Sequence, residues 1–291
     1  MVNAGEPPAN IRCRPIVEGD LDRLADLFWR GFGARRTRVF WQRALACLKA
    51  RAVPDDMPRY GYVLENAGVP VGAILLIFAA APDDRSLRAN VSSWYVEPAF
   101  RGYAPLLVSQ ALKRKDVTYL NISPVRHTWP ILEAQGYVRY SNGVFVALPA
   151  VRRSGVHGVR LLPADARPDV PFAPFERDLM IEHAAYGCLS VWCVTPERAF
   201  PFVFRPRYVK RVIPCAQLVY CADIADVPRF AGPLGRHLAR RGLPFMVLDA
   251  NGPIAGLLGR YFDGTMPKYF RGPVRPRLGD LAHTETALFG V

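Results

Sequence analysis

No stretch of this sequence stays apolar for long enough to cross a bilayer. The longest such run, Val69 to Pro82, falls short of the roughly 20 residues a helical span needs, and Gly72 stands near its start. Cys-x-x-Cys pairs are absent, and none of the six cysteines lies at metal-ligand spacing from a histidine. Small buried thiols are therefore the reading, with no metal and no redox pair. The stretch Met1 to Asn10 is polar and proline-bearing, lacking the basic segment and apolar core of a secretion signal, so a cytoplasmic protein is expected. Lysine is scarce: only five of the 38 basic residues are lysine. The arginines are scattered from Arg12 to Arg277 and form no basic stripe with interleaved aromatics, so a nucleic-acid face is not the expectation. What is present is a formal charge of +13 on a chain that is 51% apolar. Such a field draws polyanions, whether a nucleotide phosphate, an acidic carrier protein or an anionic surface, and charge alone does not choose among them.

The periodicity of the first half alternates between strand and helix. Ile11 to Ile16 reads as a strand. Asp20 is placed as an N-cap ahead of Leu21, Leu24, Ala25 and Phe28, with Gly31 as the stop. A second helix starts at Thr37, with Trp41, Ala44, Leu45 and Leu48 on one face. Strands Gly61 to Glu65 and Val69 to Ala79 flank a turn at Asn66-Ala67-Gly68. Strand Ala89 to Val96 leads into a helix from Pro105, which ends in Lys113-Arg114-Lys115, charges that suit a helix C-terminus. Strand Val117 to Ile122 follows, then a short helix from Trp129 to Gln135, and two strands, Tyr137 to Arg139 and Val144 to Leu148.

The second half repeats the outline: strand Val159 to Leu162, helix Phe175 to Ala185, strands Leu189 to Thr195 and Ala199 to Phe204, strand Ala216 to Ala222, helix Val227 to Arg241 and strand Pro244 to Leu248. Placing Leu112 on Leu238 puts Tyr119 on Phe245 and Trp94 on Tyr220. The match is one of pattern, and it predicts an α/β protein with a mixed sheet and flanking helices in each of two domains, 1–150 and 151–291. The seam is expected at Ala150 to Gly158.

One segment carries chemistry. Strand Val91 to Val96 runs into Glu97-Pro98-Ala99-Phe100-Arg101-Gly102-Tyr103-Ala104 and then a helix. A small-residue turn feeding a helix N-terminus offers backbone N–H groups and the positive end of the helix dipole, which suits a pyrophosphate. Gly102 and Ala104 allow close approach, and Arg101 adds charge. An ordinary tight strand-to-helix connection would look the same.

The pattern Val96-x-Pro98-x-x-Arg101-Gly102 before a helix, with the later run Ile131-Leu132-Glu133-Ala134-Gln135-Gly136-Tyr137, resembles the GNAT superfamily of acyl-CoA-dependent acyltransferases. The resemblance covers most of residues 11–150 and extends to the second half only in the order of its elements. It implies two GNAT-like domains in tandem, acetyl-CoA or another acyl-CoA as co-substrate, and no metal. It implies that Tyr95 and Val96 offer backbone groups to the pantetheine arm, and that Arg101, Gly102, Tyr103, Ala104 and Leu106 surround the diphosphate. The counterpart loop of the second half, Val227-Pro228-Arg229-Phe230-Ala231-Gly232, is too bulky for that approach.

The chain departs from the family pattern where catalysis is concerned. Leu132 stands where the family often has a tyrosine acid, Arg126 where it has an asparagine, and the strand Ala89 to Val96 holds no acidic residue. The remaining groups near the expected acyl end are Ser123, Arg126 and His127. Aminolysis needs a base for the amine and a proton donor for the departing thiolate; His127 suits either task as a residue type, and Ser123 suits the donor. The tail from Met266 to Gly290 carries Lys268, Arg271, Arg275 and Arg277, then Asp280, His283 and Glu285. It is read either as an acceptor-pocket wall between the halves or as a basic closing strand pair. The expected activity is transfer of an acyl group, acetyl foremost, from a coenzyme A thioester to an amine or hydroxyl of a small molecule or protein. The alternative is a non-catalytic module that binds acyl-CoA or an acyl carrier protein.

Overall fold

The computed structural model describes residues 10–33, 36–81, 85–151, 156, 158–209 and 212–290. The expected seam residues Arg152 to Gly155 lie outside the described residues. The chain divides into two compact units, the described parts of Met1–Ala79 with Leu87–Tyr119 and of Ala80–Ser86 with Leu120–Val291. No described helix is long and apolar enough to cross a membrane.

The first unit comprises β1 (Ile11–Pro15), α1 (Leu21–Phe32), α2 (Arg38–Ala50), β2 (Gly61–Asn66), β3 (Val69–Ala80), β4 (Leu87–Val96), α3 (Ala104–Ala111) and the start of β5 (Thr118–Asn121). Its strands lie in the order β1-β2-β3-β4-β5. The β2–β3 hairpin turns through Ala67 and Gly68, both at positive φ (48° and 81°). Such a primed turn matches the twist of the flanking strands. The core gathers the periodic positions of the helices: Leu24, Phe28, Trp41 and Leu45 are buried, with the Phe28 and Trp41 ring centroids 4.9 Å apart.

Three local expectations are corrected in this unit. First, α1 continues through Gly31 to Phe32, and Gly33 (φ 59°) ends it. Second, α3 ends at Ala111, so Lys113-Arg114-Lys115 lies beyond it; Arg114 pairs with Asp116 instead.

Third, Asp20 precedes α1 but does not cap it. Its buried carboxylate turns back to accept from the Val17 amide (3.0 Å) and from the Arg14 guanidinium (2.7 and 2.9 Å). The Arg14 hydrogen bond, foremost, holds the Asp20 carboxyl below its ordinary pKa. A depressed folded-state pKa contributes stability that is complete above the unfolded value, about 3.9, and is lost as pH falls through the folded one. The Tm difference between the wild type and Asp20→Asn is therefore expected to be full at neutral pH and to close below about pH 4, as thermal melts across that range would show.

The second unit contains α4 (Trp129–Ala134), β6 (Val138–Ala147), β7 (Arg160–Pro163), α5 (Pro174–Ala185), β8 (Leu189–Val194), β9 (Ala199–Val209), β10 (Ile213–Cys221), α6 (Asp226–Ala239), β11 (Phe245–Ala250), β12 (Gly259–Arg271) and α7 (Glu285–Phe289). Its strand order is β12-β6-β11-β10-β9-β8-β7. Strands β7 to β11 thus succeed one another in the sheet as β1 to β5 do. The mixed α/β class holds as well: β10 pairs with β11 in parallel and with β9 antiparallel.

One element of the second unit differs from the sequence reading, while the helix expected over Val227 to Arg241 is present as α6 (Asp226–Ala239). The two strands expected between Tyr137 and Leu148 are one, β6, which pairs with β11 on one side and β12 on the other. Through these pairings β6 belongs to the compact unit that includes Leu120–Val291. Helix α6, for its part, runs through Pro233. An interior proline costs about 3 kcal/mol. Burial of Val227, Phe230, Leu234 and Leu238 offsets it, at roughly 1.5–3 kcal/mol per large side chain. Gly235 lets this helix meet the backbone at Ala150, since a Cβ there would stand 2.1 Å from the Ala150 nitrogen.

Candidate functional site

The predicted donor site is built at the end of β4. Within the strand Ser93 adopts φ 45°, an irregularity that interrupts simple strand alternation and re-aims neighbouring groups. Its hydroxyl lies 3.1 Å from that of Ser92. Beyond it the strand end is fixed by close packing. The Tyr95 ring lies on α1 at Gly31, where a Cβ would come within 2.5 Å of the ring atoms. Val96 packs on Gly72, with 3.0 Å to a Cβ built there. The Glu97 amide donates to the Val71 carbonyl at 2.9 Å, and the Glu97 carboxylate meets Arg30 at 2.9 Å. Gly31, read from sequence as a helix stop, is thus the residue that seats Tyr95.

The segment after β4 is a 3-10 helix, Pro98–Tyr103, that passes into α3. The sequence suggested an open turn ending at Pro105. In the structure the Phe100 amide donates to Glu97 (2.9 Å) and the Ala104 amide to Arg101, so neither serves an anion without undoing the turn. The outward-facing features remain. Arg101 is exposed, and its side chain has no hydrogen bond or ion pair among the described residues. Gly102 is exposed, and a Cβ built on it meets nothing within 4 Å. The fold therefore sets no steric demand for glycine at 102. Tyr103 and Ala104 are half-buried, and Leu106 is 39% exposed. Together these residues present a cation, an unobstructed backbone and the N-terminal end of a helix, a combination that attracts phosphate.

The predicted catalytic residues come after β5 and belong to the second unit. Ser123 donates its hydroxyl hydrogen bond to the carboxylate of Glu285 in α7, and Glu285 is 4% exposed. His127 sits in the 3-10 turn Arg126–Thr128. Both it and Arg126 are exposed and unpartnered among the described residues. Two bonds fix that turn: Thr128 Oγ1 donates to Val125 (2.7 Å) and Trp129 Nε1 to Pro124 (3.3 Å). Leu132 is buried and plays a core part where the family pattern would place a tyrosine.

The tail contributes mostly to the interior of its own unit. Lys268 Nζ meets Asp249 at 2.8 Å with both side chains buried. Arg277 donates to the Cys221 carbonyl at 2.7 Å and stacks on Tyr220. Of the tail's basic residues, Lys268 and Arg277 are thus tied into the unit, while Arg271 and Arg275 are exposed. Two polar groupings escaped the sequence reading. Buried Tyr269 accepts from Arg139 Nε (2.7 Å) and donates to Glu133 (3.2 Å), and burial foremost pushes its phenol upward. Glu182, His183 and His283 also converge. His183, however, is spoken for on both nitrogens: Nδ1 donates to Leu179 (2.9 Å) and Nε2 accepts from the His283 amide (3.1 Å). A metal there would have to displace one of those bonds. All six cysteines are unbridged, and burial raises the Cys188 thiol to about 11. They read as inert packing.

No family model matches the chain, and no curated protein matches it in sequence. Solved structures do resemble it. A protein of Pyrococcus horikoshii assigned as an acetyltransferase is 13% identical, with a TM-score of 0.58 over 96% of each chain. A GCN5-related N-acetyltransferase from Anabaena variabilis is 10% identical, TM-score 0.58, over 90% of this chain and 72% of the other. One from Kribbella flavida is 14% identical, TM-score 0.58, over 90% and 71%. At these identities the likeness is one of fold. The chain has the fold of the GNAT superfamily, over most of its length.

Proposed function

We propose that this chain is an acyltransferase that takes an acyl group, acetyl foremost, from coenzyme A and gives it to an amine. The single observation that carries this reading is the end of β4. There a closely packed strand terminus, an Arg101 side chain with no partner among the described residues and unobstructed Gly102 precede a helix N-terminus, in a chain with the GNAT fold. In this reading domains 1–150 and 151–291 are the repeats, and only the first has a diphosphate-binding turn. Tyr95 and Val96 offer backbone groups to the pantetheine arm. Arg101, Gly102, Tyr103, Ala104 and Leu106 surround the diphosphate.

The chemistry asked of the chain is addition of the amine nitrogen to the thioester carbonyl and departure of the thiolate. A serine that donates to a carboxylate is arranged to pass a proton toward it. Ser123, read from the sequence as the thiolate's proton donor, has that proton committed to Glu285, so it instead accepts the amine proton as its own moves to Glu285. His127 passes a proton to the coenzyme A sulfur. The C–N bond forms, the C–S bond breaks, and the proton count is even.

The test is release of coenzyme A thiol from acetyl-CoA across a panel of primary amines. Ser123→Ala is expected to lower kcat by about 10²–10⁴-fold with acetyl-CoA affinity unchanged. Micromolar binding of acetyl-CoA without thiol release for any amine would favour the non-catalytic binding module instead.

A further inference from the structure

The second unit holds a concavity that the transfer reaction does not use. Strands β7 and β8 pair up to Pro163–Val191. Beyond that pair β8 still has Leu189 and Ser190, while the chain after β7 turns away at Ala164. The strands splay, and a pocket of about 450 Å³ opens at the gap, bounded by α5 and the end of α6. That size lies within the roughly 300–1,000 Å³ of small-molecule sites.

Its lining is apolar with a few convergent polar groups. Leu161 and Ile181 form walls, and Ile181 is left 39% exposed at the opening. The Ser190 hydroxyl oxygen is buried and has no hydrogen-bond partner among the described residues. At one end stand His237 and Arg241. The His237 ring has no partner among the described residues. Arg241 spends one Nη1 bond on the His237 carbonyl (3.2 Å), leaving further donors of its guanidinium. Burial, then the neighbouring Arg241 and Arg240 charges, push the His237 ring below its ordinary pKa. Asp165 is the one acidic lining residue.

We propose that this pocket binds a medium-chain carboxylate, with its apolar body against Leu161 and Ile181 and its carboxylate at Arg241 and His237. A neutral apolar ligand would draw nothing from the exposed Arg241 guanidinium, and a short anion would leave the walls wet. The proposal stands independently of the acyltransferase reading, since every residue it uses lies in the second unit.

Decanoate titrated calorimetrically into the full chain tests it, with decanol as the headless control. Decanoate is expected to bind with a Kd on the order of 10 µM, in keeping with small-ligand efficiencies. Arg241→Ala is expected to weaken decanoate by about 10-fold or more, the worth of a charged hydrogen bond, and to leave decanol unchanged. Ala184→Trp, on an exposed wall position of α5, is expected to block both ligands while the melting temperature holds. The variant Arg101→Ala/Gly102→Val should bind decanoate as the wild type does. No binding at millimolar decanoate would overturn the proposal. So would unchanged binding to Ala184→Trp, equal affinity for the wild type and Arg241→Ala, or loss of decanoate binding in the Arg101→Ala/Gly102→Val variant.

Discussion

Lys268→Met is expected to destabilise the protein by about 3–5 kcal/mol, because it strands the Asp249 carboxylate in the interior without a counter-charge. The two side chains are 2% and 4% exposed and 2.8 Å apart. They come from β12 and β11, which flank β6. Lys268 reaches inward through a register change: residues 264–267 of β12 sit between the partners Asp263–Gly143 and Lys268–Ser141, opposite Asn142 alone. Such extra residues bend a strand and re-aim the side chains beyond them. The pair is not itself a large net source of stability, since desolvation offsets most of its attraction. Hence the double variant Lys268→Met/Asp249→Leu is expected to recover most of the loss. Chemical denaturation of the wild type, the single variant and the double variant decides it. A single variant as stable as the wild type would mean that the carboxylate finds another partner or water.

Arg101→Ala/Gly102→Val is expected to weaken coenzyme A by about 100-fold or more, with the fold intact. Losing a charge-assisted hydrogen bond costs about 1.5–3 kcal/mol, and a branched side chain at 102 adds steric exclusion of the diphosphate from the backbone. The fold should not register either change, because the Arg101 side chain has no partner among the described residues and a Cβ at 102 meets nothing within 4 Å. The β-branched valine has only its weaker helical preference to set against it. A variant that melts like the wild type and binds like the wild type would move the donor site elsewhere.

The range of each interaction decided whether the sequence disclosed it. Alternation and helical spacing are local, so the strands and helices of both repeats were legible, as was the β2–β3 turn from Asn66-Ala67-Gly68. The strand-to-helix segment at 96–104 was legible for the same reason. Its 3-10 character was not, since Pro98 and Gly102 suit an open turn equally well.

Contacts between distant positions left no local mark. Ser123 and Glu285 are 162 positions apart, and Glu133 and Tyr269 are 136 apart. Lys268 read as one cation of a basic tail because its partner Asp249 lies on another strand. Gly31 comes after an apolar helical run, where a stop is the ordinary use of glycine. Its actual use, making room for the Tyr95 ring, depends on a residue 64 positions later in the chain (95 − 31). Strand β6 appeared as two pieces because polar Ser141-Asn142-Gly143 interrupts its apolar pattern. Its pairing with both β11 and β12 carries the strand across that gap.

The most direct measurement is a crystal structure of the full chain soaked with coenzyme A. The account predicts diphosphate density against Arg101 and Gly102 at the start of α3, with the pantetheine arm along the backbone of Tyr95 and Val96. Density for the diphosphate on any other surface, with that turn left bare, would contradict it.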